Sequence, residues 1–289
     1  MKKLLGLLMI IALFSSCKET KKDTTTTVPT EVTKPEVKLY TLDGGSVQVN
    51  KLEMFSLDTV YRGQSAKLPS PYYVISHPKG NLMWDAGITE DLIDAALPAD
   101  ATQDFIFSRN KHTVDQLKSI GMTLDDIKYI ALSHWHNDHT GHANLLKNST
   151  WLVQDIEYNL INSDEFKKDN MERYNEVKEL TKVQKLHGDH DVFGDGSVVI
   201  KLMPGHTPGH QVLYIDLPEH GPVLLSGDLY HLKENRKHRR IPVFNIDVDA
   251  TLKSMDVFEV FVKEKNADVF VQHDMEDYQR MPKSPQYLK

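Results

Sequence analysis

Ser133-His134-Trp135-His136-Asn137-Asp138-His139-Thr140-Gly141-His142 sets three imidazoles and a carboxylate, His134, His136, Asp138 and His139, within six consecutive positions. Neutral imidazole nitrogen and carboxylate oxygen are the donors that borderline-soft divalent ions favour, zinc above all. A loop carrying them at its first, third, fifth and sixth positions can aim them at a common centre. The alternation points to more than one ion. His134 and His136 leave an extended segment on one side, whereas Asp138 and His139 sit where the chain turns, so the two pairs face adjacent ions. A metal-free, histidine-rich surface loop is the competing reading in a chain with 14 His. Context argues against it: Ile127 to Leu132 is an apolar run that suits a buried strand, and open α/β sheets gather ligands at strand ends.

Three later segments repeat that context. The apolar run Val198 to Leu202 feeds Met203-Pro204-Gly205-His206-Thr207-Pro208-Gly209-His210, placing His206 just past a strand end in a turn shaped by Gly and Pro. Val223 to Ser226 runs into Gly227-Asp228, which offers a carboxylate able to bridge two cations, and Ala267 to Val271 runs into Gln272-His273. Leu82-Met83-Trp84-Asp85-Ala86-Gly87 also ends in a carboxylate. Asp85 there can accept a hydrogen bond from a ligand imidazole and so fix its tautomer. His142 and His210, close to ligands in sequence, read as supporting or packing groups. His77, His112, His187, His190, His220 and His238 lack the strand-end context and read as surface positions.

The pattern His134-x-His136-x-Asp138-His139, followed by His206, Asp228 and His273, resembles that of the metallo-β-lactamase superfamily of dinuclear metallohydrolases. The resemblance runs from about Val37 to the C-terminus and includes Leu82 to Gly87. Segment order and the ending Gln272-His273-Asp274-Met275-Glu276 are most similar to the N-acyl-homoserine lactonases, which are quorum-quenching enzymes. It implies an α/β fold, an αβ/βα sandwich in a single catalytic domain with two Zn2+ ions, or other divalent metals, at one edge. One metal would be held by His134, His136 and His206 and the other by Asp138, His139 and His273, with Asp228 bridging. Two cations sharing a water lower its pKa far enough to give hydroxide at neutral pH, so a lactone carbonyl can be attacked without a Ser or Cys nucleophile. The chain's only cysteine, Cys17, is remote from these segments.

One position departs from the lactonase pattern, which often has Tyr three residues after the bridging Asp as a donor to the lactone carbonyl. Here Tyr230 comes two residues after Asp228 and His231 occupies the third place. Asp138, Asp228 and Tyr230 are therefore the candidate catalytic residues, with His231 as the other possible donor and simple packing of Tyr230 as the alternative. Met203, Trp135, Phe105 and Phe107 are candidates for an apolar acyl pocket, against a core-packing alternative. Rival activities on the same metals are those of a β-lactamase, a thioesterase or a phosphodiesterase; a noncatalytic metal- or ligand-binding lipoprotein is the rival outside enzymes.

Met1-Lys2-Lys3, the apolar stretch Leu4 to Phe14 and then Ser15-Ser16-Cys17 have the layout of a bacterial lipoprotein signal, with Phe14 where Leu is usual. Residues 1–16 would be removed and Cys17 acylated, leaving an exported, membrane-anchored lipoprotein of the cell envelope; a plain secretory signal is the alternative. The apolar stretch is shorter than the roughly 20 residues that span a bilayer. Residues 17–36, mostly Lys, Thr, Glu, Val and Pro, cannot bury a core and read as a disordered tether. Residues 37–289 suffice for one well-buried domain. Strands at Tyr72 to Ser76, Val198 to Leu202 and Val223 to Ser226 are interspersed with helices at Thr113 to Ile120, Asp155 to Asn162 and Ala250 to Glu264, an order that predicts a layered α/β sandwich. A net charge of -7 argues against nonspecific nucleic-acid binding and leaves a small ester or lactone as the expected partner. The basic run Lys233 to Arg240 reads as a solvated loop, with contact to an anionic substrate or lipid headgroup as the alternative.

Overall fold

A computed structural model describes residues 34–95 and 103–289. The predicted signal, the acylated Cys17 and the tether up to residue 33 lie outside the described residues. Strands are β1 (Lys38–Leu42), β2 (Ser46–Val49), β3 (Ala66–Pro69), β4 (Tyr72–His77), β5 (Gly80–Trp84), β6 (Phe105–Ser108), β7 (Ile127–Ala131), β8 (Thr150–Gln154), β9 (Val183–Leu186), β10 (His190–Asp191), β11 (Val198–Leu202), β12 (Gln211–Leu217), β13 (Gly221–Leu225) and β14 (Asp268–Phe270). Helices are α1 (Thr113–Ser119), α2 (Asn137–Thr140), α3 (Asp155–Asn162), α4 (Asp164–Asp169), α5 (Met171–Val177), α6 (Lys233–His238), α7 (Val248–Lys265) and α8 (Met275–Arg280). A six-stranded sheet has the order β1-β4-β5-β7-β8-β9, a five-stranded sheet the order β10-β11-β12-β13-β14, and a small third sheet the order β3-β2-β6.

Alternation along the strands builds the layers, because successive side chains of a strand point to opposite faces. Tyr73 and Ile75 of β4 and Leu82 and Trp84 of β5 pack inward against Leu213, Ile215 and Leu217 of β12 and Val223 and Leu225 of β13. The intervening Tyr72, Val74 and Met83 face the other way and bury Leu117 of α1, Ile161 of α3, Phe166 of α4 and Val177 of α5. On the far side, Val212, Tyr214 and Leu224 pack on Met255 and Phe258 of α7. The result is helix, sheet, sheet, helix, the expected αβ/βα sandwich, and each fully buried aliphatic or Phe side chain contributes about 1.5–3 kcal/mol. The predicted helices stand where expected. α7 begins two residues earlier than its apolar spacing indicates because the Asp247 carboxylate caps it, accepting from Ala250 N at 2.8 Å. Among the described residues no helix is long and apolar enough to cross a membrane.

One surface assignment is corrected. His77 closes β4 in a buried position, its ring stacked on Phe193 with centroids 4.0 Å apart. His112, His187, His220 and His238 are exposed, and His190 is partly so.

Strand direction decides where the functional loops gather. β5 and β7 are parallel neighbours, as are β13 and β14, while β11 and β13 share one direction through the antiparallel β12 between them. Asp85, His134, His206, Asp228 and His273 all follow the C-terminal ends of these strands. The loop after β5 passes so close to β1's outgoing loop that only glycine fits: Gly87 has φ +62, and a Cβ there would lie 2.6 Å from Gly44 Cα. We expect Gly87→Ala to lower unfolding free energy by more than Gly63→Ala, measured by urea denaturation. Gly63 also has positive φ, +71, but nothing within 4 Å of the added methyl, so it should cost only the left-handed penalty of about 1–2 kcal/mol. Equal losses would show that the close approach is not a constraint.

Candidate metal centre

β7 delivers Ser133 and His134, and the chain runs extended through His136 (φ -68, ψ 150) before turning into α2, which carries Asp138 and His139 on its first turn. That is the division foreseen from the alternation. The turn after β11 is closed by Gly205 N donating to Thr207 O at 2.9 Å and presents His206 between them. Asp228 lies on a single helical turn, Gly227–Leu229, after β13, and His273 on the turn between β14 and α8.

These residues meet as two sets of convergent donors, His134, His136, His206 and Asp228 in one and Asp138, His139 and His273 in the other. In the first, His134 Nε2, His136 Nδ1 and His206 Nε2 form a triangle with sides of 2.8, 3.0 and 3.1 Å. In the second, His139 Nε2 and His273 Nε2 are 3.2 Å apart, with Asp138 Oδ1 3.8 Å from the former and Oδ2 3.5 Å from the latter. Asp228 spans both. Its Oδ2 is 3.6 Å from His134 Nε2 and 3.4 Å from His206 Nε2, while Oδ1 is 3.3 Å from His139 Nε2 and 3.0 Å from His273 Nε2.

Outer hydrogen bonds set which nitrogen carries the proton in three of the five rings, those of His206, His139 and His273. His206 Nδ1–H donates to Asn245 Oδ1 at 2.8 Å, His139 Nδ1–H to Asp85 Oδ2 at 3.0 Å and His273 Nδ1–H to the Pro69 carbonyl at 2.8 Å. Each therefore turns an Nε2 lone pair to the centre, as a metal requires. Asp85, held in the left-handed region at φ 61, also accepts from Ser133 N at 2.6 Å and Gln272 Nε2 at 3.3 Å, joining three of the loops. His210 is a brace, as its sequence position suggested: its Nδ1–H donates to Met203 O at 2.9 Å and its Nε2 accepts the Asp228 backbone N–H at 2.9 Å. His142 likewise supports, its Nδ1 accepting from Arg109 at 2.7 Å. Glu157 was not foreseen. It reaches from α3 to accept from Thr207 Oγ1 and Gly209 N, both at 2.8 Å, and burial pushes its carboxyl up to about 7.

The donors fit a pair of divalent ions and little else. Three imidazole nitrogens at hydrogen-bond distance from one another cannot all find protons to share, and buried Asp228 Oδ1 has no hydrogen-bond partner. Burial and the neighbouring imidazoles hold His134 and His136 well below the ordinary histidine pKa, which keeps them neutral ligands. Burial alone would raise the Asp228 carboxyl, but the facing imidazoles of His231, His273, His139 and His134 outweigh it and hold it well below its ordinary value. An anionic carboxylate set between two imidazole clusters suits a bridging role between two cations.

A cavity of about 300 Å³ opens directly onto this centre. Its apolar wall includes Val47, Val49, Phe55, Phe105, Phe107 and Phe244, and its floor includes His136, Asp138, Asp228 and His273. Phe105 and Phe107 thus line a pocket, whereas Trp135 packs on Phe166 and Met203 lies in the core beneath α7. Tyr230 is also corrected: its ring packs on Phe258 of α7 and its hydroxyl donates to Glu259 Oε1 at 3.1 Å. Extended backbone at Tyr230 (φ -139, ψ 130) sends residues 230 and 231 to opposite sides, so His231, not Tyr230, borders the cavity. The basic run forms α6 and its exit and is matched by acids, with Lys233 on Glu276, Arg236 on Glu259, Arg239 on Asp256 and Arg240 on Asp58. The solvated reading holds for the exposed Lys233, Glu234, Lys237, His238 and Arg239, but the segment is a helix rather than a loop, and Asn235 within it is buried.

Comparison with known proteins places this architecture. The sequence model of the Metallo-beta-lactamase superfamily matches residues 66–273. The N-acyl homoserine lactonase AttM of Rhizobium radiobacter is 28% identical over 270 residues, covering 87% of this chain and 98% of that protein. The N-acyl homoserine lactonase AiiA of Bacillus thuringiensis subsp. kurstaki is 28% identical over 264 residues, with the same coverage of 87% and 98%. A solved N-acyl homoserine lactone hydrolase, with the product N-hexanoyl-L-homoserine bound at its catalytic metal center, superposes with a TM-score of 0.73 at 26% identity, over 87% of this chain and 98% of that one. The family match spans most of the sandwich and both donor sets, and the chain belongs to the metallo-beta-lactamase superfamily.

Proposed function

We propose that this protein is a two-zinc hydrolase that opens the ring of N-acyl homoserine lactones. The observation that carries the reading is the apolar cavity ending on paired metal-donor sets: a compact polar head can reach the centre while an acyl tail lies along Phe55, Phe105, Phe107 and Phe244. The related lactonases, aligned over nearly their whole length, support the same substrate class.

Residues His134, His136 and His206 would hold one ion and Asp138, His139 and His273 the other, with Asp228 shared. Ions so bound supply Lewis acidity to the ester carbonyl and acidify water to near neutrality. The protein's own part is positional. Asp85, Asn245 and Pro69 fix the ligand rings, and His210 and Glu157 fix the backbone of the Asp228 and His206 loops. The phenylalanine wall sheds water from the acyl tail and aims the ring at the centre. Asp138, whose carboxylate faces both its donor set and the cavity, is placed to accept the proton released when water adds to the carbonyl carbon. It can return that proton to the ring oxygen as the C–O bond breaks, giving the open hydroxy acid. The acid-matched α6 offers no free cationic patch for a phosphodiester, which places that activity behind ester hydrolysis.

We also infer export and anchoring at the cell envelope through an acylated Cys17, on the strength of the Lys-rich start, the apolar stretch and Ser15-Ser16-Cys17. Labelling cells with a fatty-acid probe should mark the wild-type protein and leave Cys17→Ser unmarked; equal labelling of both would overturn it.

Lactone opening followed by proton release should be lost on chelation and restored by zinc. Specificity, kcat/KM, should rise about fourfold per added acyl methylene until the wall is covered, from about 0.8 kcal/mol per buried CH2. Two bound metals with turnover of β-lactams or thioesters and none of lactones would refute the substrate. Asp228→Asn should lower both metals per chain and turnover, whereas Asp85→Asn should weaken metal affinity by 10- to 100-fold with the fold retained. Full metal content and turnover in Asp228→Asn would exclude the bridging role.

A further inference from the structure

Outward of the metal donors, the cavity carries a positive charge that the protein itself meets only weakly. Arg173 of α5 is the one Lys or Arg side chain among the described residues that line it. Its single ion pair, Nη1 to Glu176 Oε1 at 3.8 Å, is longer than a hydrogen bond, and at a half-exposed site a pair of that length binds loosely. Glu176 is also committed elsewhere, since its Oε2 accepts from Thr140 Oγ1 and so ties α5 to α2. The guanidinium thus keeps N–H groups to offer to whatever enters.

Its place in the cavity says what that is. α2 carries Asn137 and Asp138 on its first turn, so the α5–α2 contact sets Arg173 on the side of the second donor set, apart from the phenylalanines. Side-chain exposure rises from 4% at Asp228 through 15% at Asp138 to 29% at Arg173, which puts the guanidinium on the way from the centre to the mouth.

We propose that Arg173 is a specificity-determining residue: its guanidinium donates to the carbonyl oxygen of the amide that joins the lactone ring to the acyl tail. This rests on the lactonase reading above. With the ring at the metal donors and the tail along the phenylalanines, that amide comes to lie between them. A carbonyl taken out of water needs a donor, and the wall of Val47, Val49, Phe105 and Phe107 has none to give. Asn137, the amide side chain nearby, is neutral and fixed between His136 and Asp138, whereas a charged donor on a long stem makes the stronger bond.

The test sets N-hexanoyl homoserine lactone against α-heptyl-γ-butyrolactone, in which methylene groups replace the amide at the same ring carbon. Metals per chain, melting temperature, kcat and KM are read for the zinc-loaded full chain and its Arg173→Met and Arg173→Lys variants. Met keeps the stem without a donor; Lys keeps one charged donor. With two metals bound, Met should lower kcat/KM on the amide lactone by about 10- to 100-fold, chiefly through KM, and change it far less on the alkyl lactone, with Lys between Met and wild type. Arg173→Ala, which suits a helix, takes the place of Met if Met lowers the melting temperature. Equal losses on the two lactones would make Arg173 a structural residue, and no loss on either would leave the amide without this donor. Either result overturns the proposal and leaves the lactonase reading standing. Hydrolysis of p-nitrophenyl butyrate with neither lactone opened would remove the lactonase reading, and the proposal with it.

Discussion

Lone pairs facing one another in a place that excludes water are the constraint on which this structure depends. The nitrogens of His134, His136 and His206 converge to within 2.8–3.1 Å, and Asp228 brings a carboxylate between them and the second cluster. Without cations such an arrangement is costly, because neutral acceptors repel and a buried anion lacks hydration. The sandwich tolerates it by fixing several of the participants from behind. Protons are assigned to the outer nitrogens by Asp85, Asn245 and the Pro69 carbonyl, and the backbones of the loops are held by His210 and Glu157. Metal bound to donors held in this way would add to the stability of the folded state.

The same reasoning connects distant parts of the chain. Asp85 follows β5, yet its one carboxylate accepts from Ser133 and His139 of the loop after β7 and from Gln272 after β14. Its left-handed backbone is a local cost borne by those bonds together. Gly87, two residues on, lets the β5 loop pass against Gly44 and thereby lets Asp85 face inward.

The converging donor residues were legible in the sequence because four of them lie in one short loop and the others each follow an apolar run that reads as a strand. The layered fold was legible for the same reason, as strand and helix periods alternate cleanly from Tyr72 to Glu264. What escaped was whatever depends on loops meeting across the sheet edge. Tyr230 and His231 are one residue apart, and only the extended backbone between them decides which borders the cavity. Glu157 looks like a surface acid on α3 until the His206 loop is laid over it. His77 carries no sign of the Phe193 ring that covers it more than a hundred positions later. Phe55 and Phe244, far apart in the chain, gain a shared purpose only when their rings meet 5.3 Å apart beside His231.

The small sheet β3-β2-β6 supplies much of the apolar wall, through Val47 and Val49 of β2, Leu68 of β3, and Phe105 and Phe107 of β6. Among the described residues it shares no ladder with either sheet of the sandwich. The apolar wall and the loops that carry the metal donors are consequently separable modules, and β2 and β6 can diversify while the donor geometry stays as it is. β3 is the exception: next to Leu68 sits Pro69, whose carbonyl orients His273. Along that strand, altered taste in substrates and altered reactivity would be inherited together.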